Sequence, residues 1–250
     1  MSLKAVLFDF KSVIINHEQI HLQLIDEILI QENLQPQKLG EGQALYRRSD
    51  RTYLQELLSS RGRVVSQEYV NKLLHQKAQA YVQQLENIPE LPLYPGVLNF
   101  INQVRSLGIS PDDCQTVKLA LISGAIRQEI ELVLERALLS EYFSVIIADD
   151  DLIATQSQPD AYLLAVERLN QLYPDFHLQP AECLAVEGTP VGVAAAKQAH
   201  IQVLGVAHNY PFHMLQRRCN WTVDYLYDLE LERVQEVFLQ KDIKLTAPGC

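Results

Sequence analysis

Arginine and hydroxyl side chains are concentrated between residues 46 and 54, where the chain reads YRRSDRTYL. The guanidinium groups of Arg47, Arg48 and Arg51 are suited to binding carboxylate or phosphate oxygens through forked pairs of hydrogen bonds. The segment therefore predicts a contact between Arg48, Arg51 and a small anionic ligand. The alternative interpretation is a helix N-terminus capped by Ser49, with the arginine side chains in solvent.

Residues that bind metals are present, but their spacing does not predict a metal site. His17 and His21 lie four residues apart, on one face of a helix, with no third ligand nearby in the sequence. Four cysteines stand far apart, without a CxxC spacing, which is typical of reduced structural thiols. The more ordinary interpretation of the histidines is one face of a helix.

Short apolar runs alternate with segments of helical periodicity, and these elements would position any site. The apolar runs are residues 5–8, 119–122, 145–148, 183–186 and 203–206. They are continuous, as in parallel strands that are covered on both faces. The helical segments between them are residues 97–107, 126–137, 161–172 and 191–199. This order predicts an α/β fold, a Rossmann-like three-layer core built on a parallel sheet.

The alternation stops between about His17 and Asn87, where amphipathic helical patterns occur without a strand. We predict an inserted all-helical cap domain there, over the carboxyl ends of the strands, where open α/β sheets bind ligands. The predicted boundaries are 1–15 and 92–240 for the core, 16–91 for the cap and 241–250 for a C-terminal tail. A chain of 250 residues is long enough for a core with an insert.

Several segments, in order along the chain, resemble the haloacid dehalogenase (HAD) superfamily. They are VLFDF with SVI, the helical insert, LYPGV, LALISGA, QPDAYLLA and CLAVEGTPVGVAAAKQAHIQVLGV. The likeness covers roughly residues 3–230 and is closest to the branch of β-phosphoglucomutases and phosphoglycolate phosphatases with a helical cap. It implies that an Asp after the first strand attacks phosphorus and that a second Asp, two residues later, is the general acid and base. It also implies Mg²⁺ as the cofactor.

The catalytic roles transfer to this chain only in part. Asp9 matches the nucleophile, and Ser123 matches the hydroxyl that holds the phosphoryl group. Lys11 stands where the second Asp is expected, and Ser12 stands where the family has a flexible Gly. Asp9, Lys11 and Ser123 are therefore the candidate catalytic residues, and His21 lies where β-phosphoglucomutases carry a hinge histidine.

The other departures from the family pattern affect the phosphate and metal ligands. Gln156 replaces the phosphate-binding Lys, and Gly188 replaces one residue of an acidic pair of which Glu187 remains. Most ligands of Mg²⁺ are then missing, so we expect no metal and no other cofactor. We hypothesise that Lys11 takes the place of the metal by pairing with Asp9. The candidate ligand-binding residues are Arg48, Arg51, His21, Gln156, Glu187 and Thr189.

The charge and the apolar content limit the partners of the chain. Lys and Arg number 21 against 31 Asp and Glu, a formal charge of −10, which argues against a nucleic-acid binder because that binding needs cations to neutralise phosphates. No apolar run approaches the roughly 20 residues that cross a bilayer. The N-terminus lacks the architecture of a signal peptide, so a cytoplasmic protein without membrane contact is expected.

These observations predict a HAD-like hydrolase homologue whose Mg²⁺-dependent phosphatase or phosphomutase site is degraded. Such a protein is weakly active or inactive and is retained for binding a small anionic ligand or a protein that the sequence does not identify. The alternative is a true HAD hydrolase, a phosphatase or a Mg²⁺-independent enzyme, that uses Asp9 as its nucleophile.

Overall fold

The computed structural model describes residues 2–38, 49–107, 116–152 and 159–246. Its centre is a six-stranded parallel sheet with the strand order β3-β2-β1-β4-β5-β6. The strands are β1 (Ala5–Asp9), β2 (Lys118–Ile122), β3 (Phe143–Ile147), β4 (Cys183–Glu187), β5 (Gln202–Val206) and β6 (Trp221–Val223). The predicted α/β fold with a parallel sheet is confirmed, because each of the five apolar runs coincides with a strand, with only Ala148 beyond the end of β3.

Helices cover both faces of this sheet and fill the insert after the first strand. In the described residues they are α1 (Glu18–Gln31), α2 (Asp50–Ser60), α3 (Gln67–Glu86), α4 (Val97–Ser106), α5 (Arg127–Arg136), α6 (Pro159–Leu172), α7 (Pro190–Gln198), α8 (Phe212–Gln216) and α9 (Leu231–Thr246). No helix in these ranges is long and apolar enough to cross a membrane.

Alternate residues of β1 belong to two different apolar clusters, which makes the core a three-layer structure. Val6 and Phe8 pack with α4 and α5 on one face of the sheet. Ala5 and Leu7 pack with α6 and α7 on the other. The inner strands are buried on both faces, which is why their sequences are continuously apolar.

Helices α1, α2 and α3 form a third cluster and are called the cap helices below. Their leucine and isoleucine side chains bury one another, and Ile126 of the core, which precedes α5, packs against them. The chain leaves and re-enters the core through an antiparallel bridge between Ile15 and Leu93, next to the predicted limits of the cap. The cap helices therefore lie against the core near the ends of β1 and β2.

Two local features were not predicted from the sequence. A single turn of π-helix, Phe10–Ile14, follows β1 directly, and a π-turn of this kind is a frequent device at functional sites. At the other end of the chain, α9 continues to Thr246, into the segment predicted as a tail from residue 241. Residues 247–250 of the predicted tail lie outside the described residues.

Candidate active site at the carboxyl end of the sheet

Asp9 is the last residue of β1, at the centre of the sheet. It pairs in register with Ile122, so that Ser123 follows on the neighbouring strand. On the other side, Phe8 pairs with Val186, which brings Glu187 to the same edge. The structure thus brings Asp9, Ser123 and Glu187 together, because parallel strands end at one edge of their sheet.

Ser12 holds the carboxylate of Asp9. Its backbone N–H and its hydroxyl donate hydrogen bonds of 2.7 and 2.6 Å to Oδ2 of Asp9. The same hydroxyl accepts a 2.9 Å hydrogen bond from the backbone N–H of Gly188. Burial raises the pKa of Asp9, while the two bonds from Ser12 and the charge of Lys11 oppose that rise. Both hydrogen bonds fall on one carboxylate oxygen, which fixes the orientation of the other.

Ser123 is buried directly after β2. Its Oγ accepts a 2.9 Å hydrogen bond from the backbone N–H of Ala125, which orients the hydroxyl. A Cβ atom added to the intervening Gly124 would lie 2.7 Å from Cα of Ser49, so the cap backbone approaches the core here as closely as a glycine allows. In addition, the N–H of Asp50 donates a 3.0 Å hydrogen bond to the carbonyl of Gly124. The start of α2 is therefore seated on the loop that carries Ser123.

The ammonium group of Lys11 contacts Oδ1 of Asp50, at the start of α2. The hypothesis that Lys11 pairs with Asp9 is therefore wrong, because the direct partner of Lys11 is Asp50. Lys11 is still near enough for its charge to oppose the rise in the pKa of Asp9. The reason is tertiary, since α2 places a carboxylate within reach of Lys11 while the carboxylate of Asp9 is already bound by Ser12.

The contact continues through two further buried groups, Lys77 and Glu129. Lys77 of α3 places its ammonium 2.7 Å from Oδ2 of Asp50 and 2.9 Å from Oε1 of Glu129 in α5. The resulting chain of charges, Lys11–Asp50–Lys77–Glu129, is called the interface network below. Burial alone would raise the pKa of Asp50, but the two ammonium groups outweigh it and hold that pKa well below its usual value. The pKa of Lys77 is raised by its two carboxylates against the effect of burial.

Two histidines of α1 and its N-terminus border the interface network. His21 is buried, with Nδ1 at 3.7 Å from Asp50 and Nε2 at 3.7 Å from Glu129. His17 stacks edge-on against His21 and hydrogen-bonds the hydroxyl of Tyr81. Burial and the neighbouring ammonium groups lower the pKa of both imidazoles well below 6.5, so they are neutral at neutral pH.

Glu187 and Thr189 lie at the end of β4, under the start of α7. The hydroxyl of Tyr162 donates to Oε1 of Glu187, and Oγ1 of Thr189 lies 3.4 Å from Oε2. Thr189 also caps α7 by accepting a 3.0 Å hydrogen bond from the N–H of Gly192. Burial, with the charge of nearby Asp9, raises the pKa of Glu187 well above its normal value. The predicted ligand contacts of both residues stay predictions.

We expect Glu187→Gln to stabilise the protein at neutral pH. Because the pKa of Glu187 is raised on folding, the folded state binds this proton more tightly, and deprotonation costs stability as the pH rises above the normal value of 4.5. The amide keeps the shape without the charge. Urea unfolding should therefore show a gain at pH 7 that shrinks towards pH 4.5, while the same change at exposed Glu135 should give none. A gain that grows on acidification would contradict this assignment.

The remaining predicted ligand contacts are placed only in part. Arg51 donates from Nε to Oδ2 of Asp149 at 2.8 Å, so its side chain is paired with the core instead of lying in solvent. Ser49 caps α2, as the alternative interpretation of this segment required. Arg48 and Gln156, as well as Arg47, lie outside the described residues, and their predicted roles stay predictions.

The described residues do not fit a magnesium ion beside Asp9. Mg²⁺ requires oxygen ligands, whereas position 11 presents an ammonium and position 188 carries no side chain. A Cβ at Gly188 would lie 2.7 Å from Cβ of Ser12, so the space of the missing carboxylate is filled. A second group of cation ligands, His21, Asp50 and Glu129, has its atoms within 4.8 Å of one another. There the ammonium of Lys77 already contacts both carboxylates.

This fold and this site define a capped α/β protein with an aspartate at the end of the first strand. A family model described as haloacid dehalogenase-like hydrolase matches residues 3–200, and the chain belongs to this family. β-Phosphoglucomutase of Bacillus subtilis is 25% identical over 250 residues, 98% of this chain and 100% of the relative. Protein CbbY of Rhodobacter capsulatus is 25% identical over 215 residues, covering 84% and 88%.

Solved structures give the same fold. CbbY of Rhodobacter sphaeroides in complex with xylulose-(1,5)-bisphosphate has a TM-score of 0.75 at 20% identity, over 92% of this chain and 97% of the other. β-Phosphoglucomutase of Clostridium difficile has a TM-score of 0.75 at 19% identity, over 96% and 99%. The family model confirms the predicted superfamily. The full-length similarity to β-phosphoglucomutase of Bacillus subtilis supports the predicted branch.

Sequence reasoning missed Asp50, Lys77 and Glu129 as members of the site. One signal was available for Lys77, which occupies the apolar face of α3 between Leu74 and Tyr81. A lysine at such a position is almost never fully buried unless it has partners. Its partners are far away in the sequence, so the apolar pattern of α3 indicates that Lys77 is buried with a partner but does not identify that partner.

Proposed function

We propose that this protein is a HAD-family member with weak or no Mg²⁺-dependent phosphoryl transfer, a pseudoenzyme retained for binding a small anionic ligand. The observation that carries the proposal is the contact between Lys11 and Asp50. An ammonium engaged with a cap carboxylate does not replace the carboxyl group that acts as general acid and base, and it does not coordinate Mg²⁺.

The size of the catalytic loss supports this proposal. General acid and base catalysis contributes roughly 10²–10⁴-fold. Phosphoryl transfer further depends on cations that neutralise the developing charge. Loss of the acid and base at position 11, together with the poor fit for Mg²⁺, removes both contributions. The two losses in rate are not simply multiplied, because the effects of residues that act together in catalysis are not additive.

An anion is the ligand class that the site favours. Lys11 supplies a positive charge beside Asp9, and the hydroxyl of Ser123 lies at the same sheet edge. CbbY of Rhodobacter sphaeroides, which shares the fold, has been solved with phosphate and with a sugar bisphosphate. These likenesses favour a phosphate-bearing small molecule over a protein partner, nucleic acid or a membrane surface.

The test is hydrolysis of p-nitrophenyl phosphate and a panel of phosphosugars, with and without Mg²⁺. We expect the native chain to turn over no faster than Asp9→Asn in either condition. Asp175→Asn makes the same chemical change at an exposed residue and serves as the matched control. Clear, sustained turnover that is present in the native chain and in Asp175→Asn, but absent from Asp9→Asn, would contradict the proposal.

The second candidate function is a hydrolase that uses Asp9 as its nucleophile. The observation in its favour is that Ser12 binds one carboxylate oxygen of Asp9. The position of the other oxygen is then fixed, as a nucleophile requires. This function predicts turnover that depends on Asp9. Independence of that turnover from added Mg²⁺ and from chelators would then identify a metal-free reaction.

A further inference from the structure

The interface network joins the core to the cap twice. Lys11, in the π-turn after β1, and Glu129, in α5, belong to the core, whereas Asp50 and Lys77 belong to cap helices α2 and α3. The Lys11–Asp50 contact and the 2.9 Å Lys77–Glu129 contact therefore both cross the interface. Both carboxylates and both ammonium groups are buried, with Lys77 only 2% exposed.

The carboxylate of Asp50 binds two cations at this site, as the anionic group of a ligand would. Its two carboxylate oxygens bind two different ammonium groups, Oδ1 that of Lys11 and Oδ2 that of Lys77. Lys11 is the same cation whose charge acts on Asp9. A phosphate that approached the ammonium of Lys11 would therefore meet a cation that already has a carboxylate partner.

Contacts at residues 50 and 51 also attach the start of α2 to the core. Its backbone N–H donates to the carbonyl of Gly124, next to Ser123. The neighbouring residue Arg51 pairs with Asp149 of the core. Contacts of the side chain and of the backbone of residue 50 thus act together to hold the start of α2 over the candidate site.

We propose that Asp50 is an internal anionic ligand, which holds the cap closed over Asp9 and is displaced from Lys11 when a phosphate-bearing ligand binds. The competition with phosphate rests on the anion-binding function proposed above, whereas the closure of the cap by Asp50 does not. Since an anion binds only the fraction of molecules in which Lys11 is released, its apparent affinity is reduced by that fraction.

Hydrogen exchange at the amide of residue 50 measures the closure directly. Residue 50 is the first of α2, and an N–H at this position has no acceptor within its own helix. Its protection therefore depends on the carbonyl of Gly124, across the interface. We expect Asp50→Asn to lower the protection factor by about tenfold or more, because removal of one partner of a buried charge pair is strongly unfavourable. Asp175→Asn should leave it unchanged.

Binding of inorganic phosphate, measured by calorimetry on the full chain, is the second readout. Asp50→Asn should tighten phosphate binding by about the same factor by which protection falls, because both report the released fraction. Lys11→Met leaves the Asp50–Lys77 pair in place and is the second variant for hydrogen exchange, should Asp50→Asn not fold. It too should lower the protection of residue 50.

The outcomes separate this inference from the proposed function. Unchanged protection in both Asp50→Asn and Lys11→Met would overturn closure by Asp50. Lower protection with an unaltered phosphate affinity would overturn the competition. Lower protection with no phosphate bound by either chain would overturn the competition and anion binding at this site, while still supporting closure by Asp50.

Discussion

Replacing Lys77 by Met is expected to lower the free energy of unfolding by roughly 3–5 kcal/mol at pH 7. The ammonium of Lys77 lies between Asp50 and Glu129, at 2.7 and 2.9 Å, and all three side chains are buried. Methionine fills a similar volume but removes the ammonium group that contacts Glu129. Burial already raises the pKa of Glu129 and Lys77 opposes that rise, so the variant should bind a proton more readily at Glu129.

The loss should therefore depend on pH. A carboxyl group that is left uncompensated in the folded state has a raised pKa there, and its cost is fully present above that pKa and disappears below the unfolded value. We expect the difference between Lys77→Met and the native chain to be largest near pH 7 and to shrink on acidification. Urea unfolding followed by circular dichroism measures it.

Two comparisons isolate the charge of Lys77 from the change of side chain. Lys72→Met makes the same substitution at an exposed position of α3 and should change stability by less than about 0.5 kcal/mol. The double variant Lys77→Met/Glu129→Gln removes the uncompensated carboxylate and should recover part of the loss. A single variant as stable as the native chain at pH 7 would show that Lys77 does not stabilise the interface network.

Replacing Gly188 by Ala is expected to lower the free energy of unfolding by about 2–3 kcal/mol, as overpacking of a rigid core does. The added Cβ would lie 2.7 Å from Cβ of Ser12 and 2.8 Å from its carbonyl oxygen. The side chain of Ser12 cannot move away cheaply, because its hydroxyl bonds both Asp9 and the N–H of Gly188.

The double variant Ser12→Gly/Gly188→Ala tests whether Ser12 is the cause. Glycine at position 12 removes Cβ and the hydroxyl, so the second change should cost less in this background. We expect a coupling energy of about 1–3 kcal/mol in a double-mutant cycle of urea unfolding. Additive effects would show that the carbonyl oxygen alone makes glycine necessary at position 188.

This coupling bears on how the site departs from its family. The resemblance implies a small, flexible Gly at position 12 and an Asp at position 188, whereas this chain has Ser12 and Gly188. The two exchanges are linked physically, because the Ser12 side chain fills the space that a residue with a Cβ at position 188 would need. Position 188 therefore cannot regain a carboxylate without a change at Ser12.

The α/β fold and the place of Asp9 were accessible from sequence. An apolar run such as Val6–Phe8 carries its own signal, since a strand buried on both faces has no polar positions. The residue after such a run, Asp9 or Ser123, must then lie at the sheet edge where parallel strands end. The amphipathic patterns of α1 and α3 likewise predicted the helical insert.

The partner of Lys11 was decided only by tertiary structure. The sequence placed a cation near Asp9, and we expected it to pair with that residue. Instead, Lys11 contacts Asp50, 39 residues away, because Ser12 binds Asp9 and the seating of α2 supplies a second carboxylate. Lys77 and Glu129, 52 residues apart, meet because α3 packs against α5.

The amino-acid sequence by itself determined which residues end the strands and which chemical groups the family site has exchanged, because both follow from local pattern and residue type. Tertiary structure alone decided how the exchanged charges are paired. The sequence places a lysine at position 11, but whether its side chain faces Asp9, a ligand or the cap depends on distances that only the packing of α2 and α3 against the core sets.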